Sequence, residues 1–270
     1  MLNIIRADLY RIFRGKGFYI TLILLLAAVV LQSAASVKGM VGMVKTDESE
    51  SVENIEDLFI MPVEYTGSTA PFEMMDITDN LLYFLLPIII FIAAADFSTD
   101  SVKNVLSNGM PRIKYYLSKL ILSCLFCILF LFIQLVFSII TATIMRGFGG
   151  MFDMDYAIRL LKPFSAQLFM CLSVTCVGIF FAFVTKRTAA VTGAYISFCM
   201  VPMLLIFIIY IINNDLEFLM KYDVILNIRM LANIDIAASS DIARAFALGG
   251  FYMLASTVGG ILLFKRSEIR

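Results

Sequence analysis

The sequence predicts an all-α integral membrane protein with six transmembrane helices and both termini inside, on three observations. Of 270 residues, 61% are hydrophobic and only 16% charged, against about 45–50% and about 25% in an ordinary soluble domain. Six long stretches lack Asp, Glu, Lys and Arg: 18–37, 80–95, 120–145, 163–185, 188–214 and 245–264. The cations between them fall mostly on alternate connections.

Each stretch approaches the roughly 20 residues that carry a helix across a hydrocarbon core of about 30 Å. The second is short unless Phe97 and Ser98 extend it past Asp96. Pro87 and Pro202 lie inside spans, where proline removes a backbone donor and kinks the helix, whereas Pro163 suits a first turn.

Lys and Arg resist translocation and collect in short cytoplasmic segments. With an even number of spans and both termini inside, 13 of the 21 cations and 4 of the 21 acids are cytoplasmic, so a net charge of zero divides into about +9 inside and −9 outside. Within residues 1–17, Leu2, Ile5, Leu9, Ile12 and Phe13 share one helical face, opposite Asn3, Ala7, Asp8, Arg11 and Arg14, with Arg6 and Lys16 adding charge. This describes an interfacial helix, and Gly15 and Gly17 permit the bend into the first span. The leader is too long and too ordered for a signal peptide, although Ser33-Ala34-Ala35 has a small-residue cleavage pattern.

Residues 38–79 form an outer loop with ten acids, most of them in the run 47–57. Residues 213–244 mix charges with Ile225, Leu226, Ile228, Met230 and Leu231, a pattern for short amphipathic helices on the outer leaflet. Inside, the segment 99–116 holds a short capped helix and the start of the next: Ser98, Thr99 or Asp100 to accept from first-turn amides, Gly109 in the left-handed C-terminal position, and Pro111 opening the next helix. Val102, Val105 and Leu106 would share one face, with Lys103, Asn104 and Ser107 elsewhere. Arg112, Lys114 and Lys119 then precede the third apolar stretch, so that helix projects beyond the inner leaflet.

Several chemistries are excluded. There is no histidine, so zinc enzymes and Ser-His hydrolases lose their usual ligand and base. No apolar stretch holds the midplane ionisable group of an ion-coupled transporter, and Asp96, at a span edge, is placed to pair with nearby cations. No GxxxxGK[ST] loop occurs, so energy for transport must come from another chain. The zero net charge offers no nucleic-acid footprint. Cys124, Cys127, Cys171, Cys176 and Cys199 all fall in spans, as small packing residues. Ala255-xxx-Gly259 and Ser256-xxx-Gly260 allow close helix approach within the chain.

The order of parts resembles the permease subunits of ABC-2 type exporters, in particular the short six-span permeases of peptide-antibiotic export and immunity systems. The likeness is carried by the basic leader ending Leu9-Tyr10-Arg11-Ile12-Phe13-Arg14-Gly15-Lys16-Gly17-Phe18 and by the inner segment with Val102-Lys103-Asn104-Val105-Leu106-Ser107-Asn108-Gly109, Arg112 and Tyr116-Leu117-Ser118-Lys119. The resemblance implies a single permease domain over 1–270 with an elbow helix carrying Arg6, Arg11, Arg14 and Lys16. Residues 101–109 become a coupling helix, with Ser101, Val102, Lys103, Asn104, Val105, Leu106, Gly109 and Arg112 docking on a separate ATPase. Lys186 and Arg187 become a smaller second cytoplasmic contact, and 213–244 a re-entrant segment. It further implies a noncatalytic chain that binds no cofactor, with ATP and Mg on the partner ATPase. A second permease, as homodimer or paired heterodimer, would complete a pathway for a hydrophobic or amphipathic substrate such as an antimicrobial peptide, in a bacterial cytoplasmic membrane. The alternative keeps the fold without transport: a sensor or immunity scaffold whose acidic outer loop captures a cationic peptide.

Overall fold

A computed structural model describes residues 2–36, 65–99, 101–212 and 214–267. The acidic run 47–57, on which a peptide-capturing role would rest, lies outside the described residues, whereas 65–79 of the expected outer loop are described and carry a short helix, Ala70–Asp76. The described residues form helices and connecting turns, with no strand among them. Helix α1 is Leu2–Arg14 and α2 Lys16–Ser36, parted by a bend at Gly15, whose N–H still donates to the Arg11 carbonyl at 3.0 Å. Then come α3 (Ala70–Asp76), α4 (Asn80–Ser98), α5 (Ser101–Ser107), α6 (Arg112–Arg146), α7 (Met154–Thr185), α8 (Thr188–Ile212), α9 (Val224–Met230) and α10 (Ser239–Arg266).

Six helices, α2, α4, α6, α7, α8 and α10, are long and apolar enough to cross a membrane. Helix α4 reaches that length because it runs on past Asp96 to Ser98 through one π-turn, Ile90–Ala94, shortly after Pro87. Helix α6 has 35 residues, or about 50 Å, well beyond the hydrocarbon thickness. One correction concerns Pro163. It is not in a first turn but inside α7, which begins nine residues earlier because Asp153 caps it, its carboxylate accepting from Tyr156 N–H at 2.8 Å. The tenth position of a capped helix therefore tolerates the lost donor.

Lipid chains are as apolar as leucine, so bundle cohesion in a bilayer relies on close approach and on hydrogen bonds. Both are present. A Cβ on Gly260 of α10 would stand 2.3 Å from the Tyr116 hydroxyl of α6, and one on Gly249 would stand 2.8 Å from Met170 Sδ of α7. The Tyr116 hydroxyl donates to the Ser256 carbonyl at 3.3 Å, and Tyr195 of α8 donates to the Leu82 carbonyl of α4 at 3.1 Å. Gly249, Ser256 and Gly260 thus serve packing within the chain, whereas Gly250 and Ala255 face outward. Helices α4 and α7 fill the centre, contributing Leu81, Leu82, Leu85, Ile88, Met170 and Ile179 to one core. Helices α8 and α10 bury the least and line the periphery.

The bundle has two dissimilar ends. At one, Phe97, Tyr116, Phe183 and Phe264 form an aromatic cluster, with Phe183 rings 4.7 Å from Tyr116 and 4.8 Å from Phe264, and α1 and α5 lie beside it. At the other, Tyr65 donates to Ser33 at 2.8 Å, and the N–H groups of Gly67 and Ser68 donate to the carbonyls of Gly147 and Phe148 at 3.0 and 2.8 Å.

Between α8 and α10, the 3₁₀ segments Asn214–Tyr222 and Leu231–Asn233 flank α9. Val224, Ile225, Ile228 and Leu231 are buried in the common core.

Candidate functional site

Helix α5 follows α4 directly and sits at the aromatic end. Its apolar residues turn inward: Val102 is buried, and Val105 and Leu106 are half-buried against the core. Lys103, Asn104, Ser107 and Asn108 form its exposed face, and Ser101 is half-buried. Gly109 closes the helix at φ +85°, the left-handed position its lack of Cβ allows, and Pro111 enters α6 in extended conformation at ψ 133°. Ser98 and Thr99 hydroxyls donate back to the Ala95 carbonyl at 2.8 and 3.1 Å, so they close α4 rather than open α5. Asp100, the remaining cap candidate, lies outside the described residues.

Two of the residues expected on a docking surface are otherwise engaged. Val102 is a core residue. Arg112 directs its Nη1 to the carbonyls of Phe264, Lys265 and Ser267 at 3.3, 2.9 and 2.8 Å, satisfying the open carbonyls and negative dipole end of α10. Lys186 occupies the turn between α7 and α8 at φ +56° and is half-buried, with Arg187 exposed beside it.

The root of α5 is a charge cluster in which Asp96 pairs with cations, as its place at a span edge predicts, and in which Asp8 and Lys119 are buried. Lys119 of α6, 1% exposed, donates to Asp8 Oδ2 of α1 at 2.6 Å and to Asp96 Oδ2 of α4 at 2.5 Å. Tyr115, one turn earlier on α6, donates to Asp96 Oδ2 at 2.6 Å, and Lys119 Nζ lies 5.1 Å from its ring centre. Arg11 pairs with Asp96 Oδ1 and reaches Asp8 Oδ1 at 3.2 Å, while its Nη2 donates to the Phe91 carbonyl at 3.0 Å. Phe91 belongs to the π-turn, a distortion that frees carbonyls from the ordinary ladder. Two carboxylates and two cations cancel, the condition for charge to persist out of water.

Asp8 was assigned by periodicity to the polar face of the leader. The structure instead places it on the buried face with Ile12, four residues on, because Lys119 waits there. Phe13, assigned to the apolar face, is 45% exposed. Burial pushes the Asp8 carboxyl above its ordinary value against the pull of Lys119. Of the leader cations, Arg11 tips its guanidinium into the cluster while its side chain stays 42% exposed, and Arg6, Arg14 and Lys16 are exposed as well. Gly17 lets the start of α2 lie on the Phe91 ring, where a Cβ would meet it at 2.2 Å. In sum, α1, α4 and α6 are tied together through Asp96, which stands five residues before α5 begins.

A second polar assembly holds the opposite end. Asp79, 3% exposed, receives Arg229 in a two-point contact, Nε to Oδ1 at 3.1 Å and Nη2 to Oδ2 at 2.8 Å. Buried Gln167 of α7 donates to the carbonyls of Met75 and Ile228 at 2.7 and 2.9 Å. Asp223 caps α9, accepting from Leu226 N–H at 2.8 Å. These contacts anchor α9 to α3, α4 and α7.

Among the described residues, no group of three Cys, Asp or Glu side chains is placed to hold a metal ion. All five cysteines are free thiols. The chain matches no known protein-family profile and no curated protein.

Proposed function

We propose that the chain is the membrane-spanning, noncatalytic permease subunit of an ATP-driven ABC exporter, paired with a second permease and driven by separate ATPase subunits that carry ATP and Mg. The observation that carries this reading is the rooting of α5. A short helix between the second and third spans offers an outward face of Lys103, Asn104, Ser107 and Asn108. Beneath it, Asp96, Lys119, Asp8 and Arg11 lock the second span, the third span and the leader helix together.

A helix that only joined two spans would not need such a root. A force on α5 passes through Val102 into the core and through Asp96 and Lys119 into α1 and α6, so the segment acts as a lever. On this reading the exposed α5 face docks on the ATPase, with Arg187 as a smaller contact, and the termini face the cytoplasm. The broad apolar surfaces of α8 and α10 meet lipid or the second permease. A hydrophobic or amphipathic peptide is the proposed cargo class.

The test is whether a neighbouring reading frame encodes an ABC ATPase and whether that ATPase co-purifies with the chain. The parent chain and Val105→Ala, a mild core change, should retain the ATPase. Lys103→Glu combined with Asn104→Glu should lose it while eluting as a folded membrane protein. Retention by the doubly charged variant would overturn the docking assignment.

A further inference from the structure

Helix α2 fixes the depth of the bend that precedes it. Its crossing stretch, Lys16–Ala35, has 20 residues, about 30 Å, so it matches the hydrocarbon thickness and leaves Lys16 at the boundary where lipid phosphates lie. At this bend a cavity of about 210 Å³ opens between α1, α2 and α4. Ile12, Phe18, Phe91 and Ala95 give it apolar walls, and Gly15 and Gly17 leave one edge without side chains. Phe91 is exposed, so the cavity reaches the surface of the bundle. Arg11 also lines it, with its guanidinium already engaged by Asp96, Asp8 and the Phe91 carbonyl.

The leader's remaining cations face outward. Helix α1 turns Ile12 into the core and rests Ile4, Ile5 and Leu9 against it, so its apolar stripe is used within the chain. What it presents outward is Arg6, Tyr10, Phe13 and Arg14, which share one face at i, i+4, i+7 and i+8 and are all exposed. Arg14 donates to the Tyr10 hydroxyl at 2.8 Å and lies 5.9 Å from its ring centre. Aromatic rings beside cations suit the boundary between headgroups and acyl chains. Arg14 and Lys16 are the neighbours of Gly15 on either side, and so stand at the open edge of the cavity.

We infer that the bend between α1 and α2 binds one anionic glycerophospholipid, its phosphate on Arg14 and Lys16 and one acyl chain in the cavity along Phe18 and Phe91. Charge complementarity selects the occupant: a zwitterionic lipid can fill the cavity but brings no net charge to the two cations. A free phosphate brings the charge and nothing for the apolar walls. The inference rests on the membrane-crossing length of α2 and not on the ATPase partnership.

The test uses the whole chain, stripped of lipid in a neutral detergent and titrated with dioleoylphosphatidylglycerol, dioleoylphosphatidylcholine or glycerophosphoglycerol. Native mass spectrometry counts the adducts, and thermal unfolding measures protection. One phosphatidylglycerol per chain should be retained with a saturable rise in Tm, whereas phosphatidylcholine and the chain-free headgroup should give no saturable rise. Arg14→Gln combined with Lys16→Gln should raise half-saturation about thirtyfold, the effect of two lost cations at an anionic headgroup. Ala95→Leu, which fills the cavity from α4 and leaves the cations in place, should abolish retention with the helical circular dichroism intact, and it keeps the test decisive if the double variant fails to fold. Equal protection by phosphatidylglycerol and phosphatidylcholine would overturn the assignment, as would phosphatidylglycerol binding unchanged in both variants. Protection by glycerophosphoglycerol equal to that by the lipid would assign the bend to a soluble phosphate and overturn the lipid reading. Loss of the co-purifying ATPase from the double variant, with phosphatidylglycerol binding unchanged, would assign the two cations to a protein partner and overturn it as well.

Discussion

Lys119 Nζ lies 2.6 Å from Asp8 Oδ2, across 111 positions of sequence, and joins the leader helix to the third span in a site almost closed to solvent. The same ammonium holds Asp96 of the second span. This lysine is the structural centre of the end that carries α5.

Removing one partner of such a cluster should cost far more than removing a balanced pair. Asp96→Asn leaves Lys119 and Arg11 with one carboxylate between them, and a loss of about 3–5 kcal/mol is expected. Asp8→Asn should cost less, because Asp96 also holds Tyr115 and makes the closer contact with Arg11. Asp96→Asn combined with Lys119→Met restores charge balance and should recover part of the loss. Thermal unfolding in detergent of Asp96→Asn, of Lys119→Met and of the double variant measures this coupling. Strictly additive losses would mean that the charges act independently.

At the opposite end, Arg229→Lys should not substitute for arginine, because one ammonium cannot reproduce the two-point contact with Asp79. Arg229→Ala should destabilise by about 1–3 kcal/mol, the cost of a buried acceptor left without its donor. The first sign should be faster proteolysis or hydrogen exchange in 224–233, since the Asp79–Arg229 contact is one of the few polar ties that hold α9 to the spans. Uniform exchange across the bundle would contradict this.

Two glycines one helix face apart provide a contrast. Gly260→Ala puts a Cβ within 2.3 Å of the Tyr116 hydroxyl and should cost about 1–3 kcal/mol. Gly250→Ala meets nothing within 4 Å and should leave stability unchanged or raise it slightly, by up to about 1 kcal/mol, through helix propensity. Melting temperatures of the two variants should therefore differ in sign or clearly in size.

Much of this architecture is legible in the sequence, for physical reasons. A bilayer demands about 20 apolar residues per crossing, so all six spans appear as charge-free stretches, and the left-handed demand at Gly109 marks the end of α5. What sequence reading misses is pairing. Asp96, at a span edge, is legible as a partner for nearby cations, but Asp8 in the leader and Lys119 before the third stretch read singly as polar residues, and nothing in the sequence names them as its neighbours. Only the folded bundle, with a π-turn setting the last part of α4, makes them one cluster. Periodicity likewise misplaces Asp8, since a buried ion pair overrides the apolar face, and it cannot show that Arg112 caps a helix more than 150 residues away.

The lever assignment separates two kinds of α5 variant. Val102→Asp places a charge in the core and should prevent folding. Lys103→Glu with Asn104→Glu alters only the exposed face and should fold like the parent, as gel-filtration profiles would show. Similar misfolding of both would indicate that the exposed face is part of the core packing.

The central claim is that α5 transmits work from an ATPase. Its most direct test is ATP hydrolysis by that ATPase, reconstituted in liposomes with the parent chain or with the Lys103→Glu and Asn104→Glu variant. The account predicts that the parent changes the hydrolysis rate several-fold and that the variant, inserted to the same level, leaves the rate at that of the ATPase alone. An identical rate with parent and variant would contradict it.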